Sequence, residues 1–347
     1  QAYALQRVLQ QLNKGKDVRQ IAHLDRHHFN FYYDKKAYYR ECPIWKKSFW
    51  KSFVIKENRY PSKEEEFINA YALIPHTDNI CDNNLKDFKF DKVFLGSDIV
   101  WDYSIKVFND DPLLFGQGFD VDEVDAYAAS FGTVPVNAKV PDYVNSALKK
   151  MKYISVRDER SAEIVKKITG IKPPIVLDPT WLWDFDNDEN IIKPAEEDYI
   201  LVYGQDFTPV FIENLRKYAN ESDKKIIALD CNEDHYDWCD KMIAQAELSP
   251  FQWIGYFKYA ASVATSTFHG ITFSLIFNKK FAFSKTDFIM AKVDDFLKEL
   301  KLFDLFDKNQ DDVFGMLGHN FNYNYINKII EEKRTASLDF LRKVSCD

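Results

Sequence analysis

Apolar positions along this chain fall into two rhythms. Short unbroken runs read as buried strands, and stretches with an apolar residue every third or fourth position read as helices. Gln1 to Leu12 places Leu5, Val8, Leu9 and Leu12 on one helix face, Gly15 ends that helix, and Val18 to Ala22 reads as a strand. Val93 to Leu95 is a buried run ending in Gly96-Ser97-Asp98. Asp125-AYAASFGT repeats the design and ends in Ser130, Phe131 and Gly132. Lys152-YISVRDERSAEIVKKITG does so again: Arg157 follows the strand, Asp158 caps a helix and Gly170 closes it. Lys172-PPIVLDPTWLW reads as a last strand, with a rigid turn at Asp178–Pro179.

The acidic stretch Asp184 to Asp198 reads as a linker, after which the alternation restarts. Tyr199 to Tyr203 and Lys225 to Leu229 are strands, with a helix from Pro209 to Asn220 between them. Pro250 to Tyr259 is a helix leading into a small apolar strand, Ala261 to Ala264. Thr265, Ser266 and Thr267 break that strand; His269–Gly270 then opens an apolar helix, and Phe281 to Phe283 is the next strand. Lys292-VDDFLKELKL is amphipathic with Lys292 at its start, and Asn322 to Val344 is a closing helix. Strands alternating with helices imply an α/β fold with parallel sheets. The expected domains are 1–190, 191–321, and a closing helix within 322–347 that packs back on the first domain. A Rossmann-like domain begins with a strand and a glycine-rich turn. Neither precedes the first helix, so both are expected to be missing.

Composition narrows the function. With 46% hydrophobic residues in 347, the chain has material for two cores. A net charge of −8 argues against a general nucleic-acid binder and a polybasic membrane protein. No apolar run approaches the roughly 20 residues of a membrane span. The five cysteines are scattered, without a CxxC pair or a zinc pattern, and suit free thiols in a reducing, cytoplasmic setting. The 16% aromatic content could line a sugar site or simply fill cores. His27–His28 lacks a carboxylate–histidine metal spacing and reads as part of an aromatic, basic surface segment. Ser62, followed by Lys and three Glu, fits a helix start.

The candidate chemistry sits where strands hand over to helices. In a parallel sheet the carboxyl ends of the strands share one rim, where ligands bind. Ser97, Asp98, Ser130 and Arg157 all fall on such a rim. His269 follows three hydroxyls at a helix start, a place that suits an anion. Bland readings stand beside these: Ser97 and Asp98 as caps, Arg157 as a surface arginine, His269 as a capping or core histidine. Lys292 opposes the helix dipole in a first turn, which hints at a bound anion.

Taken together, QAYALQ, FLGSDIVW, AYAASFG, ISVRDERS, VLDPTWLW and TSTFHGITFSLIFNKKF resemble the polysaccharide pyruvyl transferase family, in family order over most of the chain. The resemblance implies two Rossmann-like domains facing a cleft, as in the GT-B glycosyltransferases. It implies transfer of a pyruvyl group from phosphoenolpyruvate onto two hydroxyls of a sugar, forming a ketal. It carries over His269 as catalytic histidine and Arg157 as a donor-binding arginine, and puts Lys292 where the family often has a second arginine. Two departures stand out: Ile99 replaces a usual glutamine, and lysine offers a point charge rather than a fork.

On this reading Asp98 orients or deprotonates the acceptor hydroxyl. Ser266, Thr267 and Gly270 join Arg157 and Lys292 around the donor, and Ser97 and Ser130 meet the acceptor. Neither metal nor redox cofactor is expected. The acceptor is a sugar or glycan, with a lipid-linked one at the inner membrane face among the options. The rival enzyme is a nucleotide-sugar glycosyltransferase, against which stands the lack of any glutamate between His269 and Lys298. A non-catalytic glycan-binding relative is the third reading.

Overall fold

The computed structural model describes residues 1–23, 65–66, 68–80, 84–105, 111–231, 236–244, 247–308 and 311–346. His27, His28 and Ser62 lie outside them. Contacts divide the chain into two units. The first takes residues 1–23 and the described residues of Ile74–Trp183 and Glu332–Asp347; the second takes 65–66, 68–73 and Asp184–Glu331. Among the described residues no helix is long and apolar enough to cross a membrane.

In the first unit, helix α1 (Ala2–Leu12) precedes strands β1 (Lys89–Leu95) and β2 (Asp120–Ala129), helix α2 (Asp142–Leu148), strand β3 (Ile154–Val156) and helix α3 (Glu159–Thr169). The sheet order is β1-β2-β3, all parallel. α3 begins as its sequence dictates: the Asp158 carboxylate accepts from the Ser161 amide, and Gly170 ends it in the left-handed region. One core lies under the sheet around Trp101, Phe115, Phe131, Leu148 and Val156. A second joins Leu5, Val8 and Leu9 to Tyr127, Leu341 and Val344.

Two expected strands are absent as strands. Val18–Ala22 makes one isolated bridge, at Gln20, with another just after it at His23, and the 172–183 segment meets β3 at a single bridge, Val156–Ile175. The physical reason in the second case is Pro173–Pro174, which have no N–H to extend a ladder. A short 3-10 turn, Pro179–Trp181, follows.

The second unit runs β4 (Tyr199–Tyr203), α4 (Pro209–Glu221), β5 (Lys225–Leu229), β6 (Lys241–Ile243), α5 (Pro250–Tyr259), β7 (Ser262–Thr265), α6 (Phe268–Ile276), β8 (Lys280–Phe283), α7 (Asp287–Glu299), α8 (Phe303–Asp307), α9 (Val313–Gly318) and α10 (Tyr323–Cys346), the last crossing into the first unit at Glu332. Its five parallel strands are ordered β6-β5-β4-β7-β8. The order reverses between β4 and β7, which makes that boundary the switch point of the sheet. Aromatic residues fill its core: Trp253 packs 4.5 Å from Phe257, 5.0 Å from Tyr203 and 5.2 Å from Phe273, ring centre to ring centre.

Candidate active site

At the rim of the first sheet, β1, β2 and β3 each deliver a polar residue just past their carboxyl ends. The Ser130 amide donates to the Asp98 carbonyl at 2.8 Å, and the Arg157 amide to the Ala129 carbonyl at 3.3 Å, so the strands stay in register past their ends. Gly96 has φ +119°, and a Cβ there would run into the Tyr127 carbonyl, so only glycine fits. Asp98 is itself left-handed, at φ 79°.

Arg157 is held as a fork. One terminal nitrogen donates to Asp98 Oδ1 and the other to Asp178 Oδ2, each at 3.1 Å. The Arg157 side chain is 11% exposed, Asp178 1% and Asp98 40%, so one carboxylate is interior and the other faces water. Burial works against the guanidinium's charge, but Asp98 and Asp178 outweigh it and raise its pKa above the ordinary value. Thr180 fixes the other Asp178 oxygen, its amide at 3.0 Å and its hydroxyl at 2.7 Å.

The serines differ. Ser130 is buried, donates to Asp158 Oδ2 at 2.6 Å and accepts from the Gly132 amide at 3.0 Å. It therefore anchors the turn and the start of α3. The Ser97 hydroxyl is also buried but has no hydrogen-bond partner among the described residues. An unsatisfied buried hydroxyl needs an explanation, and a ligand group is one.

In the second unit the candidate residues gather at the switch point. Thr265 Oγ1 donates to the Tyr203 carbonyl at 2.6 Å. Ser266 Oγ donates to the Gln205 carbonyl at 2.7 Å and accepts from the Gln205 amide at 2.9 Å, stitching the turn after β7 to the turn after β4. Thr267 caps α6 by accepting from the Gly270 amide at 3.0 Å. A Cβ on Gly270 would strike Thr265 Oγ1, so this glycine lets the helix start against the strand end. His269, the second residue of α6, is half-buried, its ring edge-on to Phe268 at 5.1 Å.

Lys292 is not at a helix start. α7 begins five residues earlier, at Asp287, capped by Thr286. The apolar Phe288–Ala291 stretch belongs to the helix, so Lys292 lies in its second turn, half-buried, on a helix that packs against α6. The dipole argument for an anion beside it falls away.

A sequence profile described as polysaccharide pyruvyl transferase matches residues 1–285, which hold every residue singled out above except Lys292. The chain belongs to the polysaccharide pyruvyl transferase family. It is accordingly a transferase that acts on polysaccharide. No curated protein matches it. Among solved structures it is similar to MnaA of S. aureus with UDP (12% identity, 92% of this chain and 96% of that one, TM-score 0.39). It is similar also to the E. coli heptosyltransferase WaaC with ADP (10%, 96% and 97%, TM-score 0.38) and to the trehalose-6-phosphate synthase OtsA (9%, 93% and 85%, TM-score 0.44).

Two residues of this pyruvyl transferase family member escape a reading of the sequence. Asp178 looks like a turn-former before Pro179, yet it carries half of the Arg157 clamp. Asp102, fully buried, accepts from the Thr133 amide and hydroxyl at 2.7 and 2.8 Å and from Ser104, and so ties the turn after β1 to the turn after β2. The available signal was an aspartate closing each apolar run, in VWD and VLD.

Proposed function

We propose that this transferase moves the pyruvyl group of phosphoenolpyruvate onto two hydroxyls of one sugar, closing a cyclic ketal. The methylene carbon gains a proton and becomes a methyl group. One sugar hydroxyl loses its proton as its oxygen bonds to the neighbouring carbon; that carbon's bond to the phosphate oxygen then breaks, and phosphate leaves. The second hydroxyl attacks the same carbon, loses its proton and closes the ring. The chemistry asks for a cation to hold an anionic donor, a proton donor for the methylene carbon, and an acceptor of hydroxyl protons.

The observation that carries the reading is Arg157, a guanidinium kept charged at a strand rim with a partly exposed carboxylate beside it. Arg157 binds the donor, with Lys292 as a second cation. His269 supplies the proton. Asp98 takes the acceptor hydroxyl, with the unsatisfied Ser97 hydroxyl as its neighbour. Ser130, Ser266, Thr267 and Gly270 act by holding these groups in place, because their hydroxyls or close backbone contacts are already engaged. The donor is a cytoplasmic metabolite, so the reaction belongs on that side of the membrane.

The experiment is release of inorganic phosphate from phosphoenolpyruvate across a panel of glycan acceptors, with a nucleotide sugar as alternative donor. Release that requires an acceptor supports the reading; transfer from the nucleotide sugar replaces it. Arg157→Ala should weaken phosphoenolpyruvate binding about tenfold or more by calorimetry, through loss of a charge-assisted contact.

A further inference from the structure

Arg157 makes two ion pairs of unequal permanence. The inner carboxylate, Asp178, is shut away from water and has its second oxygen fixed by Thr180. The outer carboxylate, Asp98, faces solvent and is otherwise tied down through the adjacent Ile99 amide, 2.9 Å from the same Oδ1 that takes Arg157. An anion arriving at the rim therefore meets a guanidinium whose two terminal nitrogens already serve carboxylates. The inner nitrogen pairs with a carboxylate that is only 1% exposed. An anion that takes the second N–H of the outer nitrogen lies against Asp98, and two anions crowded on one nitrogen repel each other.

We propose that Asp98 is a placeholder for the anionic donor: it occupies the outer nitrogen of Arg157 until the donor displaces it, while Asp178 holds the inner nitrogen throughout. This rests on the reading that the site takes an anionic donor. It adds an order to the reaction. Asp98 leaves Arg157 when the donor arrives, and its carboxylate then turns to a sugar hydroxyl, so the donor binds before the acceptor. Asp178 is a positioning residue, because it acts only through Arg157.

The test is calorimetric titration of phosphoenolpyruvate, and separately of inorganic phosphate, into the full chain and its variants. Asp98→Asn removes the competing charge, and asparagine tolerates the left-handed backbone at this position. It should tighten both anions by about three- to tenfold, the scale of one half-exposed charge. Asp178→Asn removes a charge without freeing the outer nitrogen and should tighten both anions less than Asp98→Asn does; an equal or larger gain would make the effect one of net charge and overturn the exchange. In an Arg157→Ala background, which does not depend on Asp178→Asn folding, Asp98→Asn should have no effect. The exchange is overturned if Asp98→Asn binds no more tightly than the parent, or if the tightening persists without Arg157. If phosphate shows the expected pattern and phosphoenolpyruvate does not bind the parent, the donor assignment falls and the exchange stands. If phosphoenolpyruvate binds and the pattern is missing, the exchange alone falls. If neither anion binds the parent, both fall.

Discussion

His269 and the rim serines call for opposite kinds of measurement. For His269 the readout is chemistry: His269→Ala should lower turnover about a hundredfold or more, with donor binding weakened less, because loss of a general acid acts on the transition state. His269→Gln keeps a hydrogen-bond donor without a proton to give near neutrality; turnover close to the parent's would reduce the histidine to a positioning role. For the serines the readout is stability. Ser130→Ala should cost about 1–3 kcal/mol, since Asp158 and the Gly132 amide each lose a partner. Ser97→Ala removes no hydrogen bond within the described residues and should leave the denaturation midpoint unchanged or raise it. Equal losses in the two variants would contradict the assignment. Ser97, Ser130 and Ser266 look alike in sequence, each a serine just past an apolar run. Their difference lies with partners far along the chain, such as Asp158 for Ser130 and Gln205 for Ser266, and no local pattern encodes it.

Elements were legible where a cap and a period agreed. Pro250–Tyr259 was readable to the residue because Ser249 and Gln252 form a reciprocal capping box and Pro250 sits at the first helical position. Ser249→Ala should accordingly cost about 1 kcal/mol in chemical denaturation; no change would mean that tertiary packing alone sets this helix. Tyr199–Tyr203 and Ile226–Leu229 also stood out, as buried apolar runs of a parallel sheet. Misreadings came where apolar composition outweighed backbone chemistry. Ile175–Leu177 is apolar enough for a strand, but two prolines before it withhold the donors. The start of α7 hid inside Phe288–Ala291, whose apolar character obscured the Thr286 cap. β6 is a three-residue strand with two exposed positions, too short for any period to register.

At the scale of the whole molecule, Lys92 ties the interior of the first sheet to the end of α10. Its ammonium lies 2.5 Å from Glu123 and 3.5 Å from Asp125, and donates to the Val344 carbonyl at 2.5 Å. Burial, with Glu123 adding its charge, pushes the Asp125 carboxyl up to about 6, against the pull of Lys92. Burial also opposes the Glu123 charge, but the hydrogen bonds from Lys92 and Lys152 win and hold its carboxyl at about 2. The signs are then opposed. Glu123 stabilises the fold above its unfolded pKa and loses that contribution as pH falls toward 2. Asp125 is better accommodated protonated, so its contribution is lost as pH rises through about 6. Between about pH 4.5 and 6 the Asp125 effect stands alone, and Asp125→Asn should gain stability over the parent as pH rises through that window. Parallel pH profiles from denaturant unfolding would refute it.

The same helix has a consequence for biosynthesis. Leu341 and Val344 complete a core whose other walls are Leu5, Val8, Leu9 and Tyr127. The unit made first is therefore closed by residues made late, and a ribosome releasing the chain from its amino end holds that unit open until 332–346 emerge. The strands of the second unit, all within 199–283, leave the ribosome before then, so the later-encoded sheet can fold while the earlier one still waits.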